Sequence, residues 1–288
     1  MRYYQIGGEA GPRVVLRTAD AVYDLTAVKP GVDSFGSLAA AASITDQSLD
    51  EVADRLAADA PTRSESDVET PETPIWAEEV WAAGVTYEIS GEAREAESGR
   101  PDIYYDVYDG ERPEVFFKAT PSRLVGPGGA VGIRADSEWD VPEPELGVVL
   151  YEGDIVGYTV GNDVSSRSIE GENSLYLPQA KVYDRCCSIG PCVRSAASLD
   201  DPHDLEMSMR IERDGETMYD DATSTGEMVR SVEELVDCYT AHNAVPERAV
   251  LLTGTSLVPD DDFTLREGDD VRIEIEEVGV LSNTVTEV

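Results

Sequence analysis

Residues 141–164, VPEPELGVVLYEGDIVGYTVGNDV, set the strongest limit on the fold. They hold two runs rich in Val, Ile, Leu and Tyr, separated by Glu-Gly-Asp and too short for typical helices. Such runs read as strands that pass through the interior of a sheet. Glu143 and Glu145 precede the first run, flanked by Pro142 and Pro144, whose rings favour extended backbone. In an extended chain positions i and i+2 share a face, so both carboxylates are aimed at one spot. The second run ends in Gly-Asn-Asp, which puts Asp163 at a strand end. Three carboxylates at the ends of neighbouring strands repel by several kcal/mol if packed dry and unpaired.

The remainder beyond residue 72 has the same texture. VWAAGVTY, EVFFKAT, AVLLTGTSLV and DDVRIEIEEVGVLSNTV are short β-branched or aromatic runs punctuated by Gly, Pro and Asp. Two segments there favour helix: YEISGEAREAES, and SVEELVDCYTAHNA, which opens on Ser231 and Glu234 in capping-box spacing. Before residue 72, residues 3–25 suggest a small β-meander and Ser34 to Ala60 carries a helical pattern. The polar, proline-containing stretch 60–74 reads as a linker or surface crossing. The expected fold is α+β and mainly β. It has a small N-terminal αβ domain with its linker (1–72), and a catalytic domain (73–288).

Charge narrows the function classes. The chain has 59 acidic against 22 basic residues, a net charge of -37, so nucleic acid would be repelled at long range. Lysine is nearly absent: Lys29, Lys118 and Lys181 stand against nineteen arginines. An acidic, lysine-poor surface around a normally apolar core suits a chain adapted to high salt. It also means that most carboxylates are weak functional evidence. No window approaches 18 apolar residues and no apolar leader opens the chain, so a soluble cytoplasmic protein without membrane contact is expected. Cys186, Cys187, Cys192 and Cys238 lack metal-binding spacing and read as reduced thiols. His203 and His242 read as structural or surface residues, VGPGGAVG reads as a turn, and no P-loop, G-x-S-x-G or H-E-x-x-H motif occurs.

A divalent cation would remove the repulsion among Glu143, Glu145 and Asp163. Hard oxygen ligands without cysteine or histidine point to Mg2+ or Mn2+, with positions left open for water and substrate. Where arginine has displaced lysine, a retained lysine should do what a guanidinium cannot. Lys118 and Lys181 are therefore candidates, since a desolvated ammonium near a metal can be pulled toward neutrality and move protons. Gly254 and Thr255, at the end of the run AVLLTGTS, could grip a carboxylate through backbone amides and a hydroxyl.

VPEPELGVVL, VGYTVGNDVSSRSIE, QAKVYDRCCSIGPCV and VLLTGTSLV, in this order and spacing over about residues 80–288, resemble the fumarylacetoacetate hydrolase superfamily. The resemblance implies a mixed β-roll or sandwich catalytic domain and a homo-oligomer built on a dimer. It also implies metal ligands at Glu143, Glu145 and Asp163, an active-site lysine at Lys181 and a substrate-gripping threonine at Thr255. Hydrolytic members resemble G-x-N-Y-x-x-H-x-x-E where this chain reads AAGVTYEISGEAREAE; the His position is Ser90 and the Glu position Ala93. The water-activating pair is missing.

That stretch and DIYYDVYDGERPEVFFKAT look like the archaeal branch acting on 2-dehydro-3-deoxy-pentonates. The implied reaction removes water from an arabinonate- or xylonate-derived 2-oxo acid to give 2,5-dioxopentanoate, with Mg2+ and no redox cofactor. Lys181 is the first candidate for proton transfer, and Glu114 and Glu88 are alternatives for the base. Lys118 and Thr255 would orient the substrate, and the backbone around Thr86 would close the other side. Glu92 and Glu97 read as solvated acids. Hydrolysis or decarboxylation of an acylpyruvate- or oxaloacetate-like acid is the first rival, and a non-catalytic ligand-binding protein the second. Glu143→Gln or Asp163→Asn is expected to abolish activity with little loss of folding, because removing a ligand relieves repulsion in the metal-free protein.

Overall fold

The computed structural model describes residues 1–9, 11–87 and 110–288. The expected helix over YEISGEAREAES, together with Glu88, Ser90, Glu92, Ala93 and Glu97, lies outside the described residues.

The chain begins with β1 (Arg2–Ile6), β2 (Arg13–Arg17) and β3 (Val22–Asp24), an antiparallel meander as expected. Three helices follow: α1 (Leu25–Val28), α2 (Phe35–Thr45) and α3 (Leu49–Ala57). The single helical pattern over Ser34–Ala60 is thus two helices. Asp46 ends α2 in the left-handed region at φ 51°, and Ser48 restarts the chain with a reciprocal capping box to Glu51. The crossing that follows contains β4 (Thr62–Arg63) and is pinned to β1, because Gln5 Nε2 donates to Thr73 O at 2.8 Å.

The larger part contains β5 (Glu79–Gly84), β6 (Glu114–Ala119), β7 (Leu124–Val125), β8 (Ala130–Ile133) and β9 (Asp140–Val141). Next come β10 (Pro144–Tyr151), β11 (Asp154–Asp163), β12 (Ser165–Ser166), and the short helices α4 (Arg167–Glu172) and α5 (Leu177–Lys181). The chain continues through β13 (Cys187–Ser195), β14 (Glu206–Arg213), β15 (Glu216–Ser224), α6 (Val232–Thr240), β16 (Arg248–Leu252), β17 (Asp270–Ile275) and β18 (Gly279–Glu287). At α6 only half of the expected capping box forms. Ser231 Oγ accepts from the Glu234 N–H at 3.1 Å, but the Glu234 carboxylate pairs with Arg230 at 2.6 Å.

One large sheet runs β4-β3-β2-β1-β13-β11-β10-β16-β5-β6, with β7 joined to β13; a second runs β15-β14-β17-β18-β8, and β9 pairs with β12. β10 lies near the middle of the large sheet and is buried along its whole length, which is why its sequence beyond Glu145 is apolar without alternation. Leu146, Val148 and Leu150 pack on one side with Met207, Met209, Ile273 and Leu281 of the second sheet. Val149 and Tyr151 pack on the other with Phe35, Leu38 and Leu252. β17 is buried only at alternate residues, as a strand with one wet face must be. Two layers of core therefore clamp the β10–β11 pair, and the ends of that pair are rigidly placed.

Candidate active site

β10 and β11 are antiparallel with Glu145 opposite Gly161, so the start of one strand lies beside the end of the other. The Asp163 N–H donates to Glu143 O at 2.9 Å, and the Glu143 N–H donates to Asn162 Oδ1 at 3.1 Å. These bonds close the junction between the strand ends. They bring one carboxylate oxygen each from Glu143, Glu145 and Asp163 within 4.8 Å of one another, all three residues buried.

The three acids are compensated unequally. Glu143 meets Lys181 Nζ at 2.6 Å and Arg167 at 3.0 Å, and although burial pushes its carboxyl up, these cations hold it below its ordinary value. Asp163 meets Lys118 Nζ at 2.5 Å and Lys181 Nζ at 3.4 Å. Glu145 Oε2 accepts from the Gly254 N–H at 2.7 Å, but no cation among the described residues pairs with it. Burial, then Asp163 and Glu143, raise its carboxyl well above the ordinary value. A donor set of three carboxylates without thiolate or imidazole suits a hard divalent ion. Glu145 is the member whose charge such an ion would balance.

Beside this cluster lies a cavity of about 580 Å³. Lys181, Glu114 and Thr255 line it; Lys118 and Thr86 do not. Lys118 is completely buried, and its ammonium meets Asp163 Oδ1, Val164 O at 2.8 Å and Lys181 O at 2.6 Å. Two carbonyls accept hydrogen bonds from it, the Asp163 carboxylate holds it as an ion pair, and with no exposed surface it does not reach a molecule in the cavity. Thr86 Oγ1 is spent on Thr253 O at 2.6 Å; on this side Gly84 and Val85 face the cavity instead.

Lys181 lies at the end of α5 and donates to Glu143 Oε2 and to Ser165 Oγ, both at 2.6 Å. Burial lowers its pKa, but Asp163 and Glu143 outweigh burial and the net shift is upward. In the metal-free site this is opposite to the expected pull toward neutrality, because the acids surround the ammonium before any cation shares them. Glu114 on β6 is raised by burial and by Glu170, against a lowering by Lys181. Its seat depends on a missing side chain: a Cβ on Gly84 would lie 2.1 Å from Glu114 Oε2. Gly254 is needed similarly, with φ +83° and Thr86 Oγ1 2.1 Å from where a Cβ would be.

Ser165, Arg167 and Glu170 were not singled out from sequence, although all lie in VGYTVGNDVSSRSIE. Arg167 opens α4, capped by Ser166, with Glu143 on one arm and Glu170 Oε2 at 3.8 Å from the other. A basic residue four positions after a strand-end aspartate in a chain this acidic was the available signal. His203, expected to be structural, accepts the Val232 N–H at the start of α6 through Nε2 at 3.0 Å. The four cysteines are free thiols.

The model of the fumarylacetoacetate (FAA) hydrolase C-terminal family matches residues 79–286. The chain is 62% identical over 289 residues, the full length of both proteins, to a Haloferax volcanii protein named "Probable 2-keto-3-deoxyxylonate dehydratase". It is 43% identical over 218 residues to the 2-dehydro-3-deoxy-D-arabinonate dehydratase of Saccharolobus solfataricus, covering 74% of this chain and 73% of that one. A solved 2-keto-3-deoxy-D-arabinonate dehydratase complexed with magnesium and 2,5-dioxopentanoate superposes with a TM-score of 0.84 at 31% identity, over 100% of this chain and 99% of that one.

Proposed function

The chain belongs to the fumarylacetoacetate hydrolase family, and from that premise we propose that it dehydrates a 2-keto-3-deoxy-pentonate to 2,5-dioxopentanoate. The observation that carries this is full-length likeness at 62% identity to a dehydratase of that substrate class. A similar fold in complex with magnesium and the reaction product supports it. Hydrolysis is not favoured, since the positions of the water-activating His and Glu hold Ser90 and Ala93. A cavity walled by acids and by a proton-bearing lysine argues against a mere binding protein.

The reaction breaks a C3–H bond and the C4–O bond, releases one water and leaves C5 as an aldehyde after proton shifts. Negative charge builds on the C2 oxygen as the C3 proton leaves. A Mg2+ held by Glu143, Glu145 and Asp163 would stabilise that charge and acidify C3, and Mn2+ has the same ligand preference. The chain's own groups do the rest. Lys181 and Glu114 are the proton carriers in the cavity: the ammonium is a donor in its resting state, and the raised carboxyl of Glu114 is nearer the pH of reaction than an ordinary acid. Thr255 holds the oxo acid, and Ser165 and Arg167 fix Lys181 and Glu143 in place. The fuller reading is a salt-adapted, cytoplasmic homo-oligomer. The net charge of -37 supports the first part, and no helix among the described residues is long and apolar enough to cross a membrane.

Purified protein in concentrated salt with Mg2+ is expected to convert a 2-keto-3-deoxy-pentonate stoichiometrically to 2,5-dioxopentanoate. Chelation should slow this by at least about 100-fold. Release of pyruvate from acylpyruvates, with no reaction of the sugar acid, would defeat the assignment.

A further inference from the structure

Glu170 takes no part in the three-acid cluster, yet it lines the cavity. Its Oε2 is buried without a hydrogen-bond partner among the described residues; the nearest cation, Arg167, lies 3.8 Å away and is committed to Glu143 at 3.0 Å. A buried acceptor without a donor costs about 1–3 kcal/mol, more for a charged group, unless something supplies one. Glu114 contributes a second carboxyl to the same lining, and after burial Glu170 is the strongest influence holding Glu114 up.

Two carboxyl groups on one part of a cavity restrict how an anionic substrate can enter. The carboxylate end of a 2-oxo acid is repelled from Glu114 and Glu170, whereas hydroxyl groups are donors that such acceptors require. The ligand is thereby oriented with its oxo-acid end at the metal cluster and Thr255, and its hydroxylated end toward Glu170.

We infer that Glu170 determines specificity for the hydroxylated tail of the substrate, accepting a hydrogen bond from the C5 hydroxyl. The inference rests on the dehydratase reading and deepens it. A pocket built to accept from a hydroxyl rejects the analogue lacking it far more strongly than an apolar pocket rejects a missing methylene, because the acceptor is left unpaired.

The test compares kcat/KM for a 2-keto-3-deoxy-pentonate and for 4-hydroxy-2-oxopentanoate, which keeps the C4 leaving group and lacks only the C5 hydroxyl. The parent protein is expected to prefer the pentonate by about 100-fold or more. Glu170→Ala should reduce that preference by at least about tenfold, and Glu170→Gln, which keeps an acceptor oxygen, should reduce it less. A smaller loss of preference in Glu170→Ala, or equal loss in both variants, would overturn the inference. The Mg2+-induced rise in Tm should persist in both; its loss would mean that Glu170 acts through Arg167 and Glu143, which also overturns it. If the parent protein turns over neither compound, the dehydratase reading fails and takes this one with it, whereas pentonate turnover without the differential sinks only the role of Glu170.

Discussion

Glu145→Gln is expected to lower turnover by about 10³-fold or more while leaving the metal-free protein as stable as the parent or more stable, by up to about 2 kcal/mol. The two effects have one cause. Glu145 is buried, has only the Gly254 N–H as a partner among the described residues, and faces Asp163 and Glu143. Two like charges 4 Å apart repel by about 4 kcal/mol even at an effective dielectric constant of 20, and the amide is isosteric and uncharged. The substitution therefore relieves strain in the empty cluster and removes a ligand from the filled one. Thermal melts with and without Mg2+ check it. The parent should gain stability from the ion, about 2.7 kcal/mol at 100 times its Kd, and the variant should gain little. A lower Tm of the metal-free variant would show that Glu145 is compensated by something other than a cation.

The same balance of charges corrects the expectation that Glu143→Gln or Asp163→Asn leaves the fold unharmed. Glu143 is paired with Lys181 and Arg167, and Asp163 with Lys118. Neutralising either acid leaves a buried cation short of its partner. Only Glu145 stands on the repulsive side of the balance.

Lys118→Met is the second large effect and lies on stability: a loss of about 3–5 kcal/mol is expected. The methionine fills the volume of the lysine stem, but the Asp163 carboxylate loses its nearest cation and the carbonyls of Val164 and Lys181 lose a donor, all inside the protein. Lys118→Arg should not rescue, because a planar guanidinium cannot replace a compact ammonium set between two carbonyls and a carboxylate with no exposed surface. Urea melts in concentrated salt measure both variants, and a loss below about 1 kcal/mol for Lys118→Met would show the ion pair to be dispensable.

The strands and the acid cluster were legible because their signals are local. The unbroken apolar run Leu146–Tyr151 of β10 declares burial on both faces, and Glu143 and Glu145 share a face by the two-residue period alone. The helix break at Asp46 was legible too, since Ser48 and Glu51 stand in capping-box spacing, but the longer periodicity concealed it. Lys118 could be seen to be unusual and not what it faces. A lysine in EVFFKAT can point to a cavity or behind a ligand, and only the pairing of β5 with β6 and the course of α5 decide. Glu170 was hidden by composition: among 59 acids one more glutamate carries no signal until its Oε2 is found without a donor.

The placement of the lysines has a practical consequence. Lys118 and Lys181 are both interior and Lys29 is exposed, so apart from the terminal amine the native surface offers a single primary amine. An acylating reagent should modify the folded protein at Lys29 and gain two further sites only as the interior opens. Counting the added mass under rising denaturant would then report exposure of the site-side lysines directly, residue by residue.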